Sequence, residues 1–162
     1  MNPAGSLQPL NSAAFKPFGD DYRDGVSLAT GWLAGSIGGA ERIVVGQLAG
    51  TGIVKVYSSG SALDGGPAMY LHSAMEHSHA NAYSEIASLK PFDGSSGVSV
   101  ATTSTTAGAD LLVSGVSQKD GAAQVLKYRL VRPSEDATML EAEPLGEVAE
   151  APGSSLRVLG GD

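Results

Sequence analysis

Short apolar runs alternate with small polar residues along most of the chain, and glycine-rich stretches separate these runs. Residues 53–57 show the clearest alternation, with two valines on one face and Ile53, Lys55 and Tyr57 on the other. Residues 41–46 instead contain a continuous β-branched run, which is typical of a strand covered on both faces. No stretch shows a helical period over three turns. The pattern therefore predicts an all-β fold.

The pattern predicts eight strands. Residues 11–18 and 69–71 could each form a further short strand, and residues 74–82 an irregular loop or a short helix. Clusters of glycine and serine separate most of the strands, and the Asp-Gly pair at residues 120–121 is a strong hairpin signal. The predicted strands cover residues 26–33, 41–46, 53–57, 85–92, 98–102, 110–113, 124–131 and 139–145.

The strands belong to a repeat. Lys-Pro-Phe followed by Gly-Val-Ser occurs within residues 16–27 and again within residues 90–99, and a fainter copy begins at Gly153. Each unit holds four short strands, and a four-stranded unit of about 40–50 residues is typical of a propeller blade. The alternative is a two-sheet sandwich with accidental similarity between its halves. We expect four-stranded antiparallel blades of a β-propeller.

The repeat also predicts how the chain is divided. Two complete blades cannot close a ring, so we expect an incomplete ring, completed by the remaining blades of a longer protein or by other copies of the chain. The predicted parts are a flexible lead-in at 1–14, the end of a preceding blade and a turn at 15–24, a blade at 25–92 with an insertion at about 58–82, a second blade at 97–145, and the start of a third at 153–162.

The repeated residues resemble a known family. Gly-Val-Ser-(Leu/Val)-Ala-Thr, a turn, (Arg/Asp)-aliphatic-aliphatic-Val, a glycine turn and Val-Lys-Val-Tyr are similar to the FG-GAP/VCBS-type repeats of integrin-α-like β-propellers, notably those of large bacterial exported proteins. The resemblance covers roughly residues 15–162. It implies a non-catalytic adhesion or recognition module that binds a protein or glycan, at the cell surface or outside the cell, within a longer exported protein. The first residues carry no signal-peptide features, so a cytoplasmic location is the alternative.

The chain departs from this family at its metal loops. Many members carry an acidic loop between the first two strands that binds calcium through carboxylates. The corresponding loops here, residues 31–39 and 103–108, contain no carboxylate. Because calcium requires several oxygen ligands including carboxylates, the sequence predicts no calcium and no other cofactor.

The charge and composition of the chain argue against several kinds of partner and site. The net charge is −7, and the ten basic residues form no run, which argues against binding to a nucleic-acid backbone. No apolar stretch approaches the roughly 20 residues that a membrane-spanning helix needs. The chain has no cysteine, so disulfides, thiol catalysis and thiolate metal sites are excluded.

All three histidines lie close together in the predicted insertion. His72, His77 and His79 flank Glu76, and imidazole nitrogens are suitable ligands for zinc, nickel or copper. Their spacing matches no standard metal motif, so a polar surface loop is the simpler interpretation. A metal-binding or enzymatic propeller that uses these four residues is the alternative function.

The remaining candidate residues favour structural roles. The carboxylates fall in turns and on alternating strand positions, where solvated surface charge is the ordinary explanation, and the serines lie in no nucleophile motif. Trp32 is the single tryptophan. We expect it to pack between blades, with stacking against a ligand as the alternative. No enzymatic activity is predicted.

Overall fold

The computed structural model describes residues 16–33, 41–59, 83–94, 97–106, 108–119, 121–134 and 137–152. The eight strands are present in these ranges, and no helix occurs there, so the all-β class is confirmed. Residues 16–18 are not in a strand, and the rest of the possible strand at 11–18 and the one at 69–71 lie outside the described residues. The strands are β1 (Val26–Gly31), β2 (Arg42–Gln47), β3 (Val54–Ser59), β4 (Tyr83–Leu89), β5 (Val98–Thr105), β6 (Gly108–Val116), β7 (Ala122–Val131) and β8 (Glu141–Pro152).

The strands form two sheets of four. Sheet 1 has the order β1-β2-β3-β4 and sheet 2 the order β5-β6-β7-β8, and every neighbouring pair is antiparallel. Each strand therefore pairs with the next one along the chain, as consecutive antiparallel hairpins do. The described residues form two sheets and no closed ring.

The two sheets share the same strand registers. Val26 pairs with Gln47 between the first two strands of sheet 1, and Val98 pairs with Gly115 in sheet 2. Between the second and third strands, a tyrosine pairs with the second residue of the buried run in both sheets, as Tyr57 with Ile43 and Tyr128 with Leu111. The repeat seen in the sequence is thus a repeat of strand pairing, which assigns each position of sheet 1 an equivalent in sheet 2.

The sheets pack face to face through small residues. A Cβ added at Gly46 would lie 3.0 Å from Val100 Cγ1 and 3.1 Å from Val98 Cγ2, so glycine lets the second sheet approach closely. Val54 and Val56 of β3 are fully buried, as the alternation in this strand predicted. They belong to one apolar core that draws on both sheets and includes Leu33, Val44, Ile86, Phe92, Val98, Val100, Leu111, Val113, Leu130 and Leu140.

Hydrogen bonds between the sheets supplement this packing. Ser27 Oγ accepts from the Val100 N–H at 3.0 Å, and Thr102 Oγ1 donates to the Thr30 carbonyl at 2.7 Å. On the other side of the core, the Leu140 N–H donates to the Ile86 carbonyl at 2.6 Å. The hydrogen bonds of Ser27 and Thr102 join β1 and β5, the first strands of the two sheets, whose backbones run beside each other.

The two Lys-Pro-Phe segments lie in different surroundings. Phe92 is buried, and its ring occupies the space that a side chain at Gly115 would need. Phe18 instead packs edge-on against Tyr22, with ring centroids 5.2 Å apart, and the Pro17 carbonyl accepts from Tyr57 Oη at 3.1 Å. Residues 16–25 therefore run along the side of sheet 1 that faces away from sheet 2.

Candidate functional site

One end of the two sheets carries an exposed tryptophan and two buried charged residues. β1 ends and β2 begins here, and in sheet 2 the same holds for β5 and β6. We call it the loop end. Ser59 of β3 pairs with Tyr83 of β4, so the chain leaves sheet 1 at this end and returns to it at the same place.

Trp32 is the most exposed of the described aromatic residues at the loop end. Its side chain is 60% exposed, while its carbonyl accepts a hydrogen bond from the Ala109 N–H at 2.7 Å. The next residue, Leu33, forms a parallel bridge with Ala109 and is buried in the core. The expectation that the indole packs between the repeats is wrong. Leu33 does that packing, and the tight backbone connection leaves the indole in solvent.

Arg42 is a buried cation on the face of sheet 1 that contacts sheet 2. It is 1% exposed, and its Nη1 donates to Ser58 Oγ across the β2–β3 pair. Its Nε and Nη2 have no hydrogen-bond partner among the described residues. Burial lowers the pKa of the guanidinium, but arginine remains protonated in proteins because its ordinary pKa is so high.

Asp110 is a fully buried anion in sheet 2. Its two carboxylate oxygens lie 2.9 Å from Lys127 Nζ and 3.1 Å from Arg129 Nε, both on the neighbouring strand β7. Burial alone would raise the pKa of this carboxyl group. Hydrogen bonds from Arg129 and Lys127, together with their positive charges, outweigh burial and hold the pKa below its usual value.

Asp110 is therefore a structural anion. A general base needs a pKa near the working pH. The pKa of Asp110 is instead lowered, and its two carboxylate oxygens are held by Lys127 and Arg129. By the shared registers, Asp110 is the equivalent of Arg42, since each directly precedes the residue that pairs with a tyrosine. The two repeats thus place opposite charges at the same buried position.

A second polar cluster lies on the side of sheet 1 that faces away from sheet 2. Lys55 Nζ forms an ion pair with Glu85 at 2.8 Å and lies 5.9 Å from the centre of the Phe18 ring. Burial, followed by the negative charge of Glu85 and a hydrogen bond to it, raises the pKa of Tyr57 to about 12. This cluster fixes residues 16–25 against the sheet.

The raised pKa of Tyr57 can be observed directly. In an absorbance titration of the phenolates, we expect one tyrosine to ionise near pH 12, and the Tyr57→Phe variant to lack that step while the others remain. Because the folded pKa lies above the ordinary value of about 10, the contribution of Tyr57 to stability is complete below pH 10. It is lost as the pH rises through 12. A titration in which Tyr57→Phe removes a step near pH 10 would contradict this assignment.

The histidine hypothesis falls on residues 60–82, which lie outside the described residues. His72, His77, His79 and Glu76 are all among them, so their use as metal ligands stays a prediction. Across the described ranges, no group of three or more His, Asp or Glu side chains is placed to hold a metal ion.

Arg42 and Asp110 were not predicted from the sequence to be buried charges. One signal was present in the sequence: each is a charged residue directly before an aliphatic run of three residues. Lys127 and Arg129 are two residues apart in β7 and so lie on one face of the strand. Two cations on one face were a further signal of an anion on a neighbouring strand.

Comparisons with known proteins give no family assignment. No protein-family model, curated protein or solved structure matches the chain. In the part of the chain that the structure describes, no helix has the length and apolar character needed to cross a membrane.

Proposed function

We propose that the chain is a non-catalytic recognition module, built from FG-GAP/VCBS-like repeats that act as blades of an incomplete β-propeller. The support is the pairing pattern. Two four-stranded meanders with equivalent registers stack face to face, and their first strands, β1 and β5, lie beside each other. This arrangement is what consecutive blades of a propeller require. In this proposal the sheets are a scaffold, and the loop end contacts a protein or glycan outside the cell.

The exposed indole of Trp32 is the main support for ligand binding at the loop end. The backbone beside it is held by the Ala109 hydrogen bond and by the buried side chain of Leu33, so little conformational freedom is lost when a partner covers the ring. Indole offers a large apolar surface for stacking on a sugar ring or for filling a protein pocket, and tryptophan is enriched among the residues that dominate binding energy.

The ionisable residues of the two described clusters support a role without catalysis. Asp110 is bound to two cations, Lys55 is paired with Glu85, and Tyr57 is kept protonated by its surroundings. Each of these groups stabilises the sheets, which fits a scaffold better than a reaction centre.

Replacing Trp32 tests the proposal. The chain would be screened against immobilised glycans and purified cell-surface proteins, and the affinity for any ligand found would be measured for Trp32→Ala. We expect an affinity loss of about 30-fold or more, because removing a central tryptophan commonly costs at least about 2 kcal/mol. The urea unfolding midpoint should change little, since the side chain is mostly in solvent.

Trp32→Phe is the matched variant, because it keeps an aromatic face and should retain part of the affinity. As Trp32 is the single tryptophan, a change in its fluorescence on adding the ligand reports directly on this residue. Equal affinity of the wild type and Trp32→Ala for every ligand would contradict the proposed role of the loop end.

A further inference from the structure

The guanidinium of Arg42 has two donor atoms that its contact with Ser58 does not use. Nη1 donates to Ser58 Oγ, whereas Nε and Nη2 have no hydrogen-bond partner among the described residues. The side chain is 1% exposed, so these N–H groups are hidden from solvent. Buried polar groups normally have partners, and a buried charge without a counter-ion is costly. The unused donors therefore indicate a place where the chain gains stability by binding an anion.

The two unused donors lie on the same edge of the guanidinium. In arginine, the Nε–H bond and one N–H bond of Nη2 are parallel and lie in the plane of the group. Oxyanions bind such an edge through two parallel N–H···O hydrogen bonds, which are stronger than hydrogen bonds between neutral groups. The contact with Ser58 involves the third nitrogen, Nη1, and leaves this edge intact. We call the Nε and Nη2 edge the Arg42 fork.

The strands next to Arg42 provide no carboxylate for the fork. β1 and β5 contain no charged residue. Ser58 of β3 pairs with Arg42, and Val56 lies on the same side of that strand. β6 contains one acid, Asp110, but Asp110 is adjacent to Leu111 of the shared core and so points away from sheet 1. These four strands therefore leave the charge of Arg42 without a counter-ion.

Asp110 shows how the chain balances a charge at this position. Asp110 is the equivalent of Arg42, and two cations on β7 neutralise it. By the shared tyrosine pairing, the positions of these cations correspond to Val56 and Ser58 in β3. Sheet 2 therefore contains the counter-charges of its buried ion. Sheet 1 has an apolar residue and a hydroxyl group in their place.

From the unused fork and the missing counter-charge we propose that Arg42 binds a small oxyanion, with two oxygens of a carboxylate, phosphate or sulfate on Nε and Nη2. Burial of the side chain limits the ligand to a small ion, because an anion on the surface of a macromolecule cannot reach it. Arg42 begins β2 and directly follows the exposed Glu41, so the ion can enter when the strand end opens locally. The bound ion neutralises the buried charge and stabilises the contact between the sheets.

The dependence of stability on anion concentration tests the site. The full chain would be unfolded in urea at increasing concentrations of inorganic phosphate, sulfate or acetate, with sodium chloride holding the ionic strength constant. Once one of these oxyanions exceeds its Kd, we expect the equilibrium constant of unfolding to fall about 10-fold for each 10-fold rise in its concentration, as one-site binding to the folded state requires. Whether acetate or the two tetrahedral ions act more strongly distinguishes a carboxylate ligand from phosphate or sulfate.

Three variants assign the effect to the fork. The stability of Arg42→Met should not depend on the oxyanion, because methionine has no charge and no donor. Arg42→Lys keeps the charge without the planar fork, so it should need about 10-fold more anion for the same stabilisation. Arg23→Met is the matched control, because Arg23 is exposed and undergoes the same change. It should respond to the anion like the wild type.

Two results would overturn the proposal. One is a wild type whose stability is the same in chloride and in all three oxyanions. The other is an Arg42→Met variant that the oxyanion stabilises as strongly as it stabilises the wild type. Titration calorimetry of the wild type with the most stabilising ion needs no variant that folds. We expect a single ion per chain, and the absence of binding or the binding of many weak ions would also contradict the site.

The anion site is independent of the proposed recognition function. The recognition test measures ligand binding at the exposed Trp32, and the anion test measures stability through the buried Arg42. Either can fail while the other succeeds.

Discussion

Replacing Asp110 with asparagine is expected to lower the free energy of unfolding by about 2 kcal/mol at neutral pH, the scale of lost hydrogen bonds to a charged group, because the two cations left without a counter-ion are partly exposed. The carboxylate is fully buried and holds Lys127 and Arg129 at 2.9 and 3.1 Å. Asparagine has nearly the same shape but no charge, so the two cations lose their counter-ion while the packing stays the same. Urea unfolding followed by circular dichroism measures the change.

Three variants provide the comparison. Lys127→Gln and Arg129→Gln should each cost less than Asp110→Asn, because each leaves one cation on the carboxylate and both cationic side chains are partly exposed. Lys55→Gln, which breaks the partly exposed pair with Glu85, should cost less than about 1 kcal/mol. An Asp110→Asn variant within about 0.5 kcal/mol of the wild type would show that the buried carboxylate adds no net stability.

The effect of Asp110→Asn should also depend on pH. The pKa of Asp110 is lowered in the folded chain, so its contribution is complete above the unfolded pKa of about 3.9. The contribution is lost as the pH falls through the lower, folded pKa, because the protonated acid is as neutral as asparagine. The stability difference between the two proteins should therefore shrink in acid. A difference that stayed constant from neutral to strongly acidic pH would contradict the ion-pair explanation.

Gly97→Ala is expected to destabilise the chain by about 2–5 kcal/mol, the sum of backbone strain and overpacking. Gly97 has φ of 138°, a conformation that residues with a Cβ rarely adopt. An added Cβ would also overlap the backbone carbonyl of Leu48, which cannot move without disturbing the end of β2. Thermal or urea unfolding measures the loss.

The repeat supplies a matched control for this variant. Gly25 is the equivalent glycine in the first Gly-Val-Ser segment, with φ of 81°, and the nearest atom to an added Cβ is Leu48 Cδ1 at 3.6 Å. Gly25→Ala therefore carries the conformational strain without the overlap and should cost about 1–2 kcal/mol. Equal losses for the two variants would mean that the approach of Leu48 to Gly97 does not matter for stability.

The strands could be predicted from the sequence because their signals are local. The alternation around Val54 and Val56 and the aliphatic run of β2 each follow from a side-chain period of two and from burial on one or both faces. The Lys-Pro-Phe and Gly-Val-Ser segments gave the repeat, and the equivalent strand registers of the two sheets agree with it.

The candidate site could not be predicted in the same way, because it depends on how the sheets meet. Trp32 and Leu33 are adjacent apolar residues, and which of them is buried is decided by the bridge to Ala109, far along the chain. Arg42 and Asp110 occupy equivalent positions. The cations that accompany Asp110 come from β7, whereas the partner of Arg42 is Ser58 on the equivalent strand β3.

β8 shows a different limit of sequence prediction. Its expected end at residue 145 is wrong, since the strand continues to Pro152. Pro144 and Gly146, which has φ of 113°, look like strand breakers in the sequence. The β7–β8 ladder accommodates them through two register shifts, at Val125/Leu126 and Lys127/Tyr128. β8 comes last in the order of sheet 2, where proline is tolerated because an edge strand needs no complete ladder.

These irregularities of β8 have a consequence for solubility. A long, regular edge strand offers unpaired N–H and C=O groups on which another molecule can add a strand, and this is a common route to aggregation. In β8 Pro144 has no N–H to donate, the two shifts twist the ladder, and the glutamates at 141, 143 and 147 are exposed and carry like charges. The features by which β8 departs from the sequence rules therefore also oppose the addition of a further strand at this edge.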